Sequence, residues 1–266
     1  MLFRRHQGWL HYDLIGPATA PVVCMTHSLT SDAGMWAEQV GPLLAAGYQV
    51  LRLDMRGHGG SSPQGGIYTI EELAADVVAV LDFLGFDKVH LIGLSMGGMI
   101  GQVIAADHPG RLLSLMACAT SPRWEGDQTF MRSRMELVRA TGTLDGIVDD
   151  NMIRRYSDEY RASHPARWAA LRQTFLGTSI AGYLGCMAAI LTHDVWGRLG
   201  CVTTPTLVVA GSDDLATPPA ANRDIAARIP GAEYAEIAGG RHFLNVEFDA
   251  EFNRIMLGWL GRHSAG

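Results

Sequence analysis

The chain has no apolar run near the roughly 20 residues that a membrane-spanning helix needs. Its N-terminal stretch, Met1 to Asp13, carries Arg4, Arg5, His6, Gln7 and His11, with no apolar segment behind the arginines. No signal peptide and no membrane partner are therefore expected. Cysteine is scarce: Cys24, Cys118, Cys186 and Cys201 are widely scattered without C-x-x-C spacing, and three of them sit in apolar runs. That pattern reads as buried free thiols in a reducing compartment, so a cytoplasmic location is expected. Histidines are dispersed, with no H-x-x-x-H or H-E-x-x-H pair, so no metal is expected. G-x-G-x-x-G and Walker patterns are both missing, so no dinucleotide or nucleotide cofactor is expected. Positive charge is in deficit too. A net charge of −6 argues against nucleic acid or an anionic membrane as partner. Internal repeats and low-complexity stretches are also absent.

What is there is an ordinary globular composition, 48% hydrophobic and 18% charged, over 266 residues. That length fits one α/β domain with an insertion, or two small domains. Short apolar runs alternate with helical patterns, the signal of a mostly parallel sheet. Strands are predicted at Trp9–Leu14, Val22–Thr26, Tyr48–Asp54, Val89–Ile92, Leu112–Ala119, Pro205–Ala210 and Tyr234–Ile237. Helices are predicted at Met35–Ala46, Ile70–Leu84, Met99–His108, Pro219–Ile229 and Asp249–Leu260. The Ile70–Leu84 stretch is strongly amphipathic. From about residue 122 to about residue 199 the pattern shifts to helical spacing, with several aromatics and arginines. This predicts a helical cap over residues 122–199 lying on a core of residues 1–121 and 200–266.

Gly93-Leu94-Ser95-Met96-Gly97 is the most informative stretch. A G-x-S-x-G pentapeptide between a strand and a helix is the signature of a nucleophile elbow. The turn forces the serine into a strained backbone, so its neighbours two positions away must lack bulk. A serine hydroxyl is a weak nucleophile near pH 7 and needs a base, itself oriented by a carboxylate. Such partners belong in loops at the carboxyl ends of later strands. His242 follows the last strand and precedes the last helix, whereas His263 lies in the tail, so His242 is the candidate base. Gly211-Ser212-Asp213-Asp214 follows the strand before it and offers two adjacent carboxylates. The alternative loop, Thr120-Ser121-Pro122-Arg123, has none. The oxyanion of a tetrahedral intermediate needs backbone donors. Met96 supplies one amide, and the loop after Val22–Thr26 supplies the other, from Leu29 with Ser28 as the alternative. His27 and His58 read as loop-shaping residues. Arginines of the insertion read mainly as solvated, but Arg123, nearest the sheet, is a candidate ligand for a substrate carboxylate. Ser28 and Trp124 are further candidates for the substrate pocket.

Together, His27-Ser28-Leu29, Asp54-Met55-Arg56-Gly57-His58-Gly59, the elbow, Gly211-Ser212-Asp213-Asp214 with Thr217-Pro218, and Gly240-Arg241-His242-Phe243 resemble the α/β-hydrolase family over essentially the whole chain. Within it the sequence is most similar to the 3-oxoadipate enol-lactone hydrolase and carboxylesterase group. It departs at His27, where that group usually has asparagine, and at Thr30, where it usually has glycine. The resemblance implies an eight-stranded, mostly parallel sheet with a helical cap, and an acid three residues after the glycine, which is Asp214. It implies a serine hydrolase with the triad Ser95, Asp214 and His242, needing no cofactor and acting on a small ester or lactone. C–C bond hydrolysis of ring-fission products and perhydrolysis would use the same triad. A non-catalytic ligand-binding protein is the remote alternative. The oligomeric state is left open, with a homodimer among the options.

Overall fold

The computed structural model describes residues 1–264. Its eight strands are β1 (Leu2–Arg4), β2 (Trp9–Ile15), β3 (Val22–Thr26), β4 (Gln49–Leu53), β5 (Val89–Leu94), β6 (Leu112–Cys118), β7 (Thr206–Gly211) and β8 (Glu233–Ile237). They form one sheet in the order β1-β2-β4-β3-β5-β6-β7-β8. From β4 to β8 every neighbouring pair is parallel, while β1 and β2 run antiparallel at one edge. β3, β5 and β7 are buried at every residue, as expected of central strands covered on both faces. The edge strands β1 and β8 are only partly covered.

Helices α1 (Ala37–Ala45), α2 (Ile70–Leu84) and α3 (Met96–Asp107) follow β3, β4 and β5. α1 is entered through a 3-10 turn at Ala33–Trp36. α2 starts at a capping box in which Thr69 and Glu72 satisfy each other's amides, and it stops at Gly85 with φ 75°. Between β6 and β7 lie α4 (Thr129–Thr141), α5 (Asp145–Arg155), α6 (Asp158–Ser163), α7 (Pro165–Gly177), α8 (Ile180–Thr192) and α9 (Trp196–Leu199). The two ends of this insertion are zipped together. Trp124 N donates to His193 O at 3.1 Å, and Val195 N donates to Pro122 O at 2.9 Å. α10 (Pro219–Arg228) follows β7, and α11 (Leu244–Glu247) and α12 (Asp249–His263) close the chain.

The expected strands and helices are all present, with ends shifted by a few residues. Two short elements, β1 and α11, escape a periodicity reading because three or four residues complete no repeat. The cysteine reading needs one correction. All four thiols are free, but Cys201 is exposed, because it lies in the turn that leads from the insertion back to the sheet. Among the described residues no single helix is long and apolar enough to cross a membrane.

The order of connections places the site. From β3 the chain runs outward to β4, then returns across β3 to β5, so the direction of winding reverses between β3 and β5. Open parallel sheets bind ligands at the carboxyl ends of the strands flanking such a reversal. The loop after β3 holds Ser28 and Leu29, and the turn after β5 holds Ser95.

Candidate active site

Ser95 stands between the fully buried β5 and α3 with φ 58° and ψ −114°, a conformation ordinary side chains rarely adopt. Long-range contacts hold it there. Its amide donates to Cys118 O at 2.9 Å, and its carbonyl accepts from the Thr120 hydroxyl at 2.8 Å and from Met99 N at 3.0 Å. Thr120 is tied in turn to Asn222, whose Oδ1 accepts the Thr120 amide at 3.0 Å. Asn222 Nδ2 donates to Thr217 O at 3.1 Å, so this one side chain links the loops after β6 and β7.

In the loop after β7, the two aspartates part company. Asp213 is exposed and accepts from the neighbouring Ser212 hydroxyl. Asp214 is buried, and its Oδ2 lies 2.8 Å from His242 Nδ1. Thr217 Oγ1 donates to the same oxygen at 2.7 Å, while Ala216 N and Thr217 N donate to Oδ1 at 2.7 and 3.1 Å. Burial by itself would raise the Asp214 carboxyl. The positive potential of His242 and the hydrogen bonds from His242 and Thr217 outweigh it and hold the group below its ordinary value. An ionised Asp214 can only accept, so His242 Nδ1 is the donor of this pair and Nε2 is the nitrogen left to act as a base.

Ser95, His242, Ser28 and Leu29 line one cavity of about 670 Å³ beneath the insertion. That volume suits a small molecule. Its apolar wall includes Met99, Trp124, Met131, Met187, Ile190 and Leu215, and Arg123, Arg134, Arg154 and Arg155 add cationic groups. Among the described residues the Ser95 hydroxyl makes no hydrogen bond, to His242 or otherwise. Such contacts are often long before a substrate engages.

Two backbone amides are uncommitted, that of Leu29 in the cavity wall and that of Met96, which follows Ser95 in the chain. Neither Leu29 N nor Met96 N donates a hydrogen bond among the described residues. Ser28 N, by contrast, is turned to Met35 Sδ at 3.4 Å, which favours Leu29 over its neighbour. The loop histidines are structural. His27 Nε2 accepts from Met55 N at 2.8 Å, and His58 Nε2 accepts from Thr30 N at 3.1 Å. Burial and the neighbouring His27 push His58 down to about 3, so it stays neutral.

Arg123 and Trp124 both line the cavity, but Arg123 is already engaged. Its Nε donates to Glu125 at 2.7 Å and its guanidinium lies over Trp196. The expectation that the other arginines are solvated fails for Arg134 and Arg155, which are buried. Helical periodicity could not single them out, because the face that α4 and α5 turn inward is decided by the helices they pack against, α8 and α7. Thr217 and Asn222 also went unassigned, since a polar residue in a loop gives no local sign of what it bonds.

A carboxylate-oriented histidine, a strained serine at a strand-to-helix turn and two free amides define a hydrolase built on a parallel sheet. The chain belongs to the α/β-hydrolase family, whose sequence model matches residues 21–249. It is 32% identical to a putative carbamate hydrolase RutD of Variovorax paradoxus, over 96% of this chain and 97% of that protein. It is 31% identical to 3-oxoadipate enol-lactonase 2 of Acinetobacter baylyi, over 93% and 91%. The crystal structure of the enol-lactonase from Burkholderia xenovorans superposes with a TM-score of 0.94 at 33% identity, covering 98% of this chain and all of that one.

Proposed function

We propose that this hydrolase cleaves small carboxylic esters or lactones through an acyl-enzyme on Ser95. The 2.8 Å bond between Asp214 and His242, on the wall of the cavity that Ser95 also lines, carries the reading. The Ser95 oxygen attacks the substrate carbonyl as its proton passes to His242 Nε2. Charge then develops on the carbonyl oxygen, where the Leu29 and Met96 amides receive it. Fixed donors of this kind are each worth roughly 2.7–4 kcal/mol of barrier. The imidazolium, stabilised by Asp214, returns its proton to the leaving alkoxide, which in a lactone stays tethered to the acyl group. Water, deprotonated by the same nitrogen, then releases the acid and frees Ser95.

Residues 122–199 act as the cap of the pocket, and their apolar side chains favour a small, partly apolar acyl or alkoxy group. Four unpaired cysteines among the described residues fit an enzyme that works in the reducing cytoplasm.

The test is turnover of p-nitrophenyl butyrate and of a panel of γ-lactones, enol-lactones and carbamates. A burst of p-nitrophenol is expected from the ester, with activity lost in Ser95→Ala. Unchanged turnover in that variant would remove Ser95 from its role, and exclusive turnover of carbamates would replace the substrate class.

A further inference from the structure

Arg155, the last residue of α5, is buried in the cavity wall, and no carboxylate pairs with it among the described residues. Burial lowers its guanidinium to about 10, so it remains charged at neutral pH. A buried unpaired cation is costly and is expected only where something specific uses it. What it touches is the loop after β3. Nη1 donates to Thr30 Oγ1 at 2.9 Å, and Nη2 donates to Leu29 O at 3.0 Å. The guanidinium is held between the rings of Phe175 and Phe243, 5.3 and 5.1 Å from their centroids. Its own carbonyl accepts the amide of Phe243, the residue after His242, at 3.2 Å.

The loop it touches is strained. Thr30 has φ 58°, a left-handed conformation in which a β-branched residue is a clear outlier. Such a residue persists only if its surroundings over-determine it. Here both peptide planes around Leu29 are pinned. On one side, Thr30 N is held by His58, and Leu29 O by Arg155 and by the Thr30 hydroxyl at 2.6 Å. On the other, Ser28 O contacts His27 Nδ1 at 2.7 Å and accepts from Ser31 N at 3.2 Å. In a trans peptide the N–H points opposite to the C=O. Anchoring Ser28 O and Leu29 O therefore aims the Leu29 N–H.

We propose that Arg155 is a positioning residue that reaches from the helical insertion to hold the strained Leu29–Thr30 peptide, and so aims the Leu29 amide at the oxyanion. The inference rests on the esterase reading above, because only there does that amide have a task.

The experiment uses the full chain and the neutral substrate p-nitrophenyl butyrate, which offers no carboxylate for an arginine to bind. Arg155→Met should lower kcat about 10- to 100-fold, less than the 10²–10³ for losing a donor outright, with KM within about threefold. Adding Thr30→Gly to Arg155→Met should restore much of that kcat, because glycine takes a left-handed φ without an external hold. A loss confined to KM, or a kcat unmoved by either change, would overturn the proposal. So would a double variant no faster than Arg155→Met alone. If Arg155→Met does not fold, the comparison moves to Thr30→Val against Thr30→Gly. Both lose the hydroxyl, but only valine keeps the strain, so Val should be at least tenfold slower in kcat, and equality sinks the idea. Hydrogen exchange over residues 27–31 separates the two readings. Arg155→Met should speed it and added Thr30→Gly slow it again. That pattern without wild-type turnover would refute the esterase reading alone, and turnover without the pattern would refute this inference alone.

Discussion

Gly93 and Gly97 meet across the elbow: a Cβ on Gly93 would lie 2.1 Å from the Gly97 carbonyl oxygen. A Cβ on Gly97 would lie 2.2 Å from the Thr26 carbonyl oxygen. Neither contact is with a movable side-chain tip. The turn that presents Ser95 is closed by backbone against backbone.

Gly97→Ala should therefore push α3 away from β3. Overpacking of this kind costs roughly 1–3 kcal/mol or more, so a thermal midpoint lower by about 5 °C or outright insolubility is expected. Gly258→Ala, in α12 with nothing within 4 Å of the added carbon, should instead gain about 0.5–1 kcal/mol. Thermal melts of the two variants check the contrast, and equal melts would mean that the elbow relaxes freely.

Asp214→Asn and Asp213→Asn should differ sharply. Asparagine at 214 leaves the imidazole in the wrong tautomer, and kcat should fall by about 10³–10⁴. At exposed 213 the change should stay within about twofold. Steady-state kinetics on p-nitrophenyl butyrate decides, and a larger loss at 213 would reassign the acid.

Thr217→Val removes the hydroxyl that donates to Asp214 Oδ2 at 2.7 Å while keeping shape. One of the bonds that lower the Asp214 pKa is lost. The folded carboxyl then titrates nearer its unfolded value. Its stabilising effect is present above the unfolded pKa and is lost as pH falls through the folded one. The variant should lose that effect at a higher pH than the wild type on acid titration below about pH 4, with kcat at pH 7 down about tenfold. An identical acid limb in the two proteins would count against the account of Asp214.

His193 lies at the stem of the insertion, and neither ring nitrogen has a hydrogen-bond partner among the described residues. Burial lowers it from 6.5 to about 4, against the opposing pull of Glu71. The unfolded chain takes up its proton near pH 6.5 and the folded one only near 4. Stability contributed above pH 6.5 is therefore lost progressively between 6.5 and 4. His193→Leu should melt no lower at pH 7 and should lose less on acidification to pH 4. The gain should be roughly 2–4 °C for each kcal/mol recovered. Parallel pH curves for the two proteins would contradict this.

Much of the fold was legible because its signals are local. The mainly apolar runs Val22–Thr26 and Val89–Ile92 announce buried strands without any knowledge of their neighbours. The amphipathic stretch Ile70–Leu84 matches α2 end to end, with Thr69 and Gly85 as its caps. Arg155 was illegible because its role depends on Thr30, 125 positions away, and nothing near Arg155 distinguishes it from the solvent-facing arginines around it. Cys201 is exposed for a similar reason: the residues beside it in sequence do not say which way a turn faces.

The amino-acid order alone determined the alternation of strand and helix, the elbow at Ser95 and the choice of His242, because spacing and side-chain size act over a few residues. The sequence and its resemblance already pointed to Asp214 and to Leu29, but only the folded arrangement buries Asp214 while exposing Asp213, engages the Ser28 amide while leaving that of Leu29 free, and carries a cation from the insertion to the loop after β3. Each of those outcomes is a contact between segments far apart in the chain, and burial and hydrogen bonding between such segments exist only once the sheet has brought them together.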